Sequence, residues 1–513
     1  MKKIANIVNF VRSVEPRETD DAYLFNTLKE ELRLCRRYGM KNTVLLQYDA
    51  LILPEYRALL REYEDLVEPG LWLEIVRPLA EAAGIPWAGR YVWDWTGGVN
   101  YLAHDTPEER STLLDRAFGT FRAHFGFYPR VVGCWTMDSF SLRYMEETWG
   151  ISAACICRDQ YGTDYTTLWG GVYNGGYYPC KNNILCPANT KAAQIGAPVF
   201  RMLGPDPVRQ YDMGLGEPEK PQTVCTLEPV YPGGGGSETW VRRYLKENYN
   251  DKCLSHAYAQ FGQENSFGWE SIRRGLPMQL KLLDEAVKAG RIELMTLGET
   301  GVWYRNSFET TPPVAMCTDD NGENDDTRSV WYASRFYRAN LLYRDGTVWF
   351  RDIHRFDENY RSDDLDEPNR SPETGYFDLP VVDGFRWSKG DVRAGLFLEK
   401  DGAPLRFDAP FESRAAGETE IAVTAAGFSA RFTEAAILLR LPEGTALVLR
   451  AASVPWLPIV GHDEKTLRFS FSGFVHKPYG YALTLGRGRF DEKDGVLRLL
   501  PEDGAVRLDL KGG

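Results

Sequence analysis

The feature that most constrains the fold is an alternation of short apolar runs with amphipathic helical stretches over residues 1–310. The first run, Ile4–Val11, is mostly apolar and is soon followed by Arg12 and Glu15. An apolar run bounded by polar residues is typical of a strand buried on both faces of a parallel sheet. Parallel sheets carry their chemistry where the strands end, so Arg12 and Glu15 are the first candidates for a functional site.

The same pattern recurs along the first 310 residues. The sequence lacks an early glycine-rich phosphate motif, which favours a barrel over a doubly wound sheet. We therefore predict an α/β fold in which residues 1–310 form a (β/α)7-8 barrel. The later strands are predicted at 42–48, 87–94, 130–138, 151–157, 254–261 and 292–297, and the helices at 20–38, 55–67, 106–125, 139–150 and 271–290.

The remainder of the chain changes character twice. Residues 311–375 are acidic, and we expect a loop-rich connection that packs on the barrel. The acidic stretch 319–326 does not have the spacing of a calcium-binding EF-hand loop. Residues 376–513 consist of short alternating runs separated by turn signals, which predicts a C-terminal antiparallel β-sandwich.

Composition excludes several classes of partner. The net charge of -12 argues against nucleic acid, which requires a basic surface. No apolar run approaches the roughly 18 residues of a membrane span, and no secretory leader is visible, so we expect a cytoplasmic protein. The nine cysteines show no disulfide framework, as in a reducing compartment. The 13% aromatic content fits either core packing or sugar recognition.

The chemistry available to this chain is that of carboxylates. Its six histidines form no HxxxH, HxH or HExxH pair, so neither a metal nor another cofactor is expected. Two carboxyl groups, one protonated and one ionised, suffice for a glycosidase. Any one of them could instead be a helix cap or a surface charge. The carboxylates predicted at strand ends are Glu15, Asp49, Asp94, Asp138, Glu228, Glu264 and Glu299.

The order of elements is similar to that of polysaccharide-deacetylase-like barrels followed by a β-sandwich. More narrowly, it resembles the inverting exo-sialidases of bacteria. The similarity rests on Glu15 after strand one, Gly133–Asp138 after strand four, the loop Phe200–Tyr211, and Arg338-Ala-Asn340. In those sialidases strand one supplies an aspartate and strand four a histidine, whereas Glu15 and Asp138 stand nearest to those places here.

The resemblance implies an exo-acting, metal-independent glycoside hydrolase on an acidic sugar, acting with inversion. A glycan substrate is the expected partner, and a homodimer is compatible with the sequence. A glycan-binding protein without catalysis and a deacetylase-like hydrolase are the alternatives. The predicted catalytic residues are Glu15, Asp138 and Glu264, and the predicted substrate-binding residues are Arg12, Trp95, Trp135, Arg201, Asp206, Arg338 and Asn340.

Overall fold

A computed structural model describes residues 1–18, 20, 22–215, 225–322, 326–454, 457–473 and 477–511. Its first part alternates strands and helices, as predicted. The periodic apolar residues Leu24, Leu28 and Leu32 are all buried on one face of the first helix. The elements are β1 (Lys2–Val11), α1 (Ala22–Tyr38), β2 (Asn42–Leu46), α2 (Tyr48–Ile52), α3 (Pro54–Glu62), β3 (Val67–Trp72), α4 (Arg77–Ala83), α5 (Pro107–Phe125), β4 (Val131–Gly133), α6 (Ser139–Trp149) and β5 (Ala153–Cys157).

The middle of the chain adds short strands and completes the helical layer. No helix among the described residues is both long and apolar enough to cross a bilayer. The elements are β6 (Gln160–Thr163), β7 (Thr166–Trp169), β8 (Gly176–Tyr177), β9 (Val199–Met202), α7 (Glu238–Asn248), β10 (His256–Phe261), α8 (Trp269–Ile272), α9 (Gly275–Lys288), β11 (Glu293–Leu294) and α10 (Leu297–Ser307).

After α10, the regular elements of the described residues are strands, apart from one short 3-10 turn. They are β12 (Val314–Thr318), β13 (Arg328–Ala333), β14 (Tyr337–Arg344), β15 (Thr347–Arg355), β16 (Thr374–Phe377), β17 (Leu379–Asp383), β18 (Gly395–Lys400), β19 (Ala403–Pro404), β20 (Glu412–Ala415), β21 (Ile421–Ala425), β22 (Phe428–Phe432), β23 (Ala436–Arg440), β24 (Thr445–Arg450), β25 (Ile459–His462), β26 (Thr466–Phe471), β27 (Tyr479–Arg487), β28 (Arg489–Lys493), β29 (Val496–Leu500) and β30 (Ala505–Asp509). Short 3-10 turns lie at Leu102–His104, Asn265–Phe267 and Asp363–Leu365.

A nearly closed, barrel-like sheet organises the first half of the chain. Its strands follow the order β10-β1-β2-β3-β4-β5-β9 and run parallel to one another. Strand β11 also pairs with β1 in parallel, and β8 pairs with β9 in the antiparallel sense. Within the described residues no ladder joins β9 to β10, so the sheet stays open there. The parallel arrangement brings the carboxyl ends of these strands to one rim.

The third strand of this sheet is not where the sequence suggested. Residues 87–94 form a loop, and β3 lies earlier, at Val67–Trp72. The aromatic content of 87–94 imitated a strand, but Asp94 folds this segment back on itself. Its carboxylate accepts hydrogen bonds from the backbone nitrogen atoms of Arg90 and Thr96, at 2.9 and 3.0 Å. Such side-chain to backbone bonds compete with strand pairing.

Antiparallel sheets make up the second half of the chain. A ten-stranded sheet contains the path β12-β13-β14-β15-β18-β24-β29-β28, and an eight-stranded sheet runs β20-β21-β22-β23-β30-β27-β26-β25. The two sheets touch where Phe432 packs against Tyr332 and Phe350. Residues 311–375 contain the buried strands β12–β15 besides loops, and the expectation of a loop-rich connection there stays a prediction. Residues 323–325 of the acidic stretch lie outside the described part, and the boundaries at 310 and 375 and the sandwich stay predictions.

Candidate active site

Polar side chains from three strand ends converge at one rim of the barrel-like sheet. Arg12 and Glu15 follow β1, Glu74 follows β3, and Glu264 follows β10. Strands β10 and β1 are neighbours, and β3 is separated from β1 only by β2. The parallel register therefore places these four side chains close together, although they are up to 252 residues apart in sequence.

The guanidinium of Arg12 lies at the centre of the cluster. Its Nη2 atom donates to Glu264 Oε2 at 3.0 Å and lies 3.6 Å from Glu74 Oε2, while Nη1 lies 3.4 Å from Glu15 Oε2. The ring of Trp93 packs against it, with 3.9 Å between Arg12 Cζ and the ring centroid. Burial alone would lower the pKa of Arg12, but the three carboxylates raise it. Arg12 is therefore a fixed cation that holds three acids in place.

Glu15 is engaged with a second arginine. Arg17 binds its carboxylate in a bidentate manner, with Nε to Oε1 at 2.8 Å and Nη2 to Oε2 at 2.9 Å. Burial would raise the pKa of Glu15, but the bonds from Arg17 and the charge of Arg12 lower it overall. Glu15 is thus ionised at neutral pH and serves to position two arginines.

A small cavity opens beside the cluster. Two of its polar wall atoms, Asn100 Oδ1 and Trp93 Nε1, are buried and have no hydrogen-bond partner among the described residues. A ligand with hydroxyl groups could satisfy both atoms, one as acceptor and one as donor. The cavity is lined by Arg12, Arg17, Glu74, Trp93, Trp95, Asn100, Tyr101, Trp135, Asp164 and Glu264.

The two buried carboxylates in this lining are Glu264 and Glu74. Burial raises the pKa of Glu264 to about 7, opposed by Arg12 and assisted by the nearby charges of Glu228 and Glu74. Burial also raises the pKa of Glu74, whose Oε2 accepts bonds from Trp72 Nε1 at 2.8 Å and Gln47 Nε2 at 3.1 Å. These bonds favour the ionised form of Glu74.

One nitrogen atom limits the separation of these two carboxylates. Because both Oε2 atoms approach Arg12 Nη2, they lie within about 7 Å of each other. This upper limit falls inside the range of roughly 5 to 9.5 Å that separates the carboxyl groups of glycosidases.

Asp138 lies elsewhere. It is the N-cap of α6, where Oδ1 accepts from the backbone nitrogen of Ser141 at 2.8 Å, and it pairs with the buried Arg110 at 3.1 Å. It is not among the residues that line the cavity. The predicted pairing of Glu15 with Asp138 across one pocket is therefore corrected: strand β4 ends early, at Gly133, and the chain turns directly into a capped helix.

Two further predicted ligands are buried in a separate ionic network. Arg338 is fully buried and pairs with Asp159 at 3.0 Å and with Asp352 at 2.9 Å. Arg201 is also fully buried and pairs with Asp159 at 3.3 Å, while its Nε donates to the carbonyl oxygen of Cys157. Both guanidinium groups are committed to protein acceptors and do not line the cavity.

Asp206 and Asn340 likewise have structural partners. Asp206 accepts bonds from the indole of Trp240 at 2.7 Å and from Arg243 at 2.8 Å. Asn340 accepts from Arg351 Nε at 2.9 Å. Their assignment as substrate ligands has no support from their position. In contrast, Trp95 and Trp135 line the cavity as expected.

Glu74 is the main residue that sequence reasoning missed. It follows Leu71-Trp72-Leu73, an apolar segment with a carboxylate after it, which is the same signal that identified Glu15. Pro69 and Gly70 interrupt the strand pattern of β3, whereas the apolar and aromatic residues of 87–94 resemble a strand. Arg17 and Trp93 carried no signal of their own, since both lie in loops.

The site residues do not suit a resident metal ion. The three carboxylates of Glu15, Glu74 and Glu264 already converge on the Arg12 guanidinium, which fills the position that a cation would take. In the described ranges, no group of three or more histidine, cysteine or acidic side chains is arranged to hold a metal. The nine cysteines are all buried as free thiols.

Comparisons with known proteins identify a solved structure with a similar fold. No family model matches the sequence, and no curated protein matches it. A candidate glycoside hydrolase/deacetylase from Parabacteroides distasonis is 14% identical, with a TM-score of 0.50 over 74% of this chain and 89% of that one. A candidate polysaccharide deacetylase from Mycobacterium smegmatis (8% identity, TM-score 0.35, 60% and 91% covered) and the 4-alpha-glucanotransferase from Thermococcus litoralis (9%, 0.31, 99% and 97%) are more distant.

All three structures are named as carbohydrate-processing proteins. Only the first of them is similar enough to show a shared fold, and at 14% identity it shows the fold alone. The chain thus has a mixed α/β fold with a barrel-like sheet, of the kind seen in the Parabacteroides protein.

Proposed function

We propose that this protein is a glycoside hydrolase in which Glu264 is the general acid and Glu74 is its ionised partner. The observation that carries the proposal is the pair of buried carboxylates on one cavity wall, held within about 7 Å of each other by Arg12. The likeness to a candidate glycoside hydrolase/deacetylase gives the fold in which such a site would be placed.

The surroundings of Glu264 and Glu74 suggest which of them is the acid and which is the ionised partner. With a pKa raised to about 7, Glu264 carries its proton in about half of the molecules at pH 7 and can donate it to the glycosidic oxygen as the bond to the leaving group breaks. Glu74 accepts hydrogen bonds from Trp72 and Gln47, and its Oε2 atom lies 3.6 Å from Arg12. These three contacts oppose the effect of burial, which raises the pKa of Glu74, and the proposal takes Glu74 as the ionised carboxylate. It would either attack the anomeric carbon or activate a water molecule.

The cavity favours a neutral sugar over the acidic sugar that the sequence suggested. An acidic sugar needs a guanidinium group that is free to bind its carboxylate. Arg12 and Arg17 in the cavity wall are already paired with Glu264 and Glu15, and Asp164 adds a further negative charge. The sialidase-like assignment, which relied on Arg12, Arg201 and Arg338 for this purpose, is therefore not retained in the proposal.

Leaving-group dependence tests the assignment of roles. Glu264→Gln should abolish turnover of glycosides with poor leaving groups but retain much of the turnover of glycosyl fluorides, which need no protonation by an acid. Glu74→Gln should lose both activities. The matched control is Glu270→Gln, because Glu270 is exposed and pairs only with its helix neighbour Arg273.

Three results would contradict the proposal. The first is full activity in both Glu264→Gln and Glu74→Gln. The second is binding of neutral glycans by the wild-type protein without any release of product, which would indicate a glycan-binding protein. The third is release of acetate without cleavage of a glycosidic bond. NMR of the first-formed anomer would show whether the reaction inverts or retains configuration.

A further inference from the structure

A ladder of aromatic rings connects the cavity with the protein surface. Tyr91 stacks on Trp95 with 5.5 Å between ring centroids and 9° between planes, and Trp95 lies 6.0 Å from Trp93. Trp93 in turn packs on the guanidinium of Arg12. The outermost ring, Tyr91, is 40% exposed, while Trp93 is buried. An exposed ring is thus connected through ring contacts, one stacked and one tilted, to the charged centre of the site.

The loop that carries these rings is rigidly built. Arg90 donates to Asp94 through Nε at 2.9 Å and through Nη2 at 2.8 Å, and its Nη2 also donates to Thr96 Oγ1 at 2.7 Å. The indole of Trp87 donates to the carbonyl oxygen of Tyr91 at 2.7 Å. A surface that is ordered before the ligand arrives loses little conformational entropy on binding.

The arginines that contact Tyr91 and Trp95 are each paired with a carboxylate. Arg90 packs against both Tyr91 and Trp95, but its charge is balanced by Asp94. Arg17 lies 5.0 Å from the Trp95 ring and is balanced by Glu15. A flat aromatic surface without net charge suits the apolar face of a neutral pyranose ring.

We infer that Tyr91 and Trp95 form a subsite for a neutral sugar next to the sugar that occupies the cavity. This inference depends on the proposed glycoside hydrolase function, because it places a second sugar on the outer side of the cleaved bond. It narrows the substrate class to neutral oligosaccharides, since the cavity is small and the ladder leads outward from it.

The test compares two kinds of substrate in Tyr91→Ala. For neutral gluco-, xylo-, manno- and chito-oligosaccharides, KM should rise about three- to tenfold, with a smaller change in kcat, since one stacking contact is lost. For the matching glycosyl fluorides, whose leaving group cannot reach Tyr91, the rise in KM should be at least threefold smaller. Tyr91→Phe should restore oligosaccharide binding, because it keeps the ring.

Phe127→Ala is the matched control. Phe127 is 47% exposed but packs against Phe121 and Phe125, away from the cavity lining. It should leave KM for both substrate kinds unchanged. An equal rise in KM for oligosaccharides and fluorides in Tyr91→Ala, or no rise for either, would overturn the subsite.

A binding experiment separates this inference from the proposed function. Saturation-transfer NMR with the Glu264→Gln variant measures oligosaccharide binding without turnover. In one outcome the wild-type protein releases no product, the oligosaccharides still bind, and Tyr91→Ala weakens their binding. The subsite then stands and the hydrolase function fails. If none of the oligosaccharides binds, or Tyr91→Ala binds them as tightly as its parent, the subsite is refuted.

Discussion

Replacing Glu264 by glutamine is expected to stabilise the folded protein, and to do so increasingly as the pH rises. Burial raises the pKa of this carboxyl group from 4.5 to about 7. Between these two values the unfolded chain releases the proton and the folded chain retains it, so the folded state loses relative stability as the pH increases. Glutamine has nearly the same shape and remains neutral at every pH.

The magnitude follows from the pKa difference. Each pKa unit corresponds to about 1.4 kcal/mol, so the full effect is about 3 kcal/mol in the free energy of unfolding. The advantage of Glu264→Gln over the wild type should grow from about 1 kcal/mol at pH 5 to about 3 kcal/mol at pH 8. Gain of stability together with loss of turnover is typical of a group retained for function.

Urea unfolding followed by tryptophan fluorescence, repeated from pH 5 to pH 8, measures this difference. Glu270→Gln is the control, and its difference from the wild type should not change with pH, because Glu270 is exposed. A difference for Glu264→Gln that is constant, or that shrinks as the pH rises, would show that Glu264 is ionised in the folded protein. The assignment of Glu264 as the general acid would then be wrong.

Three other outcomes follow from the same contacts. In the wild type, kcat/KM should fall about tenfold per pH unit above pH 7 as Glu264 loses its proton, and a pH–rate profile that is flat to pH 9 would contradict this. Asp138→Asn should lower the free energy of unfolding by about 3 kcal/mol, because Arg110 stays buried without its charged partner. Urea unfolding measures this loss, and steady-state kinetics should show an unchanged KM. Arg12→Met should lower the free energy of unfolding by about 3 to 5 kcal/mol at pH 8, because three acids lose their shared cation. The loss should be smaller at pH 5, where Glu264 is protonated, and a loss in urea unfolding that does not depend on pH would refute this.

Much of the fold could be read from the sequence. The periodic apolar residues of α1 and the Thr106 cap of α5 are local signals, and both elements lie where they were predicted. The prediction of a strand at 87–94 was wrong because aromatic residues fit a strand and a stacked loop equally well. The hydrogen bonds that the Asp94 carboxylate accepts from the backbone of Arg90 and Thr96 decide between the two.

Strand ends and their polar exits are local features, so the order of residues is enough to show that acidic and basic side chains follow the strands of a parallel sheet. Which of these side chains meet depends on how the strands pair and how the loops fold. Glu264 contacts Arg12 because β10 pairs with β1. In contrast, Asp138 caps a helix and Arg338 is paired with acids in a buried ionic network. A carboxylate's role depends on its burial and its neighbours, and these are properties of the folded chain.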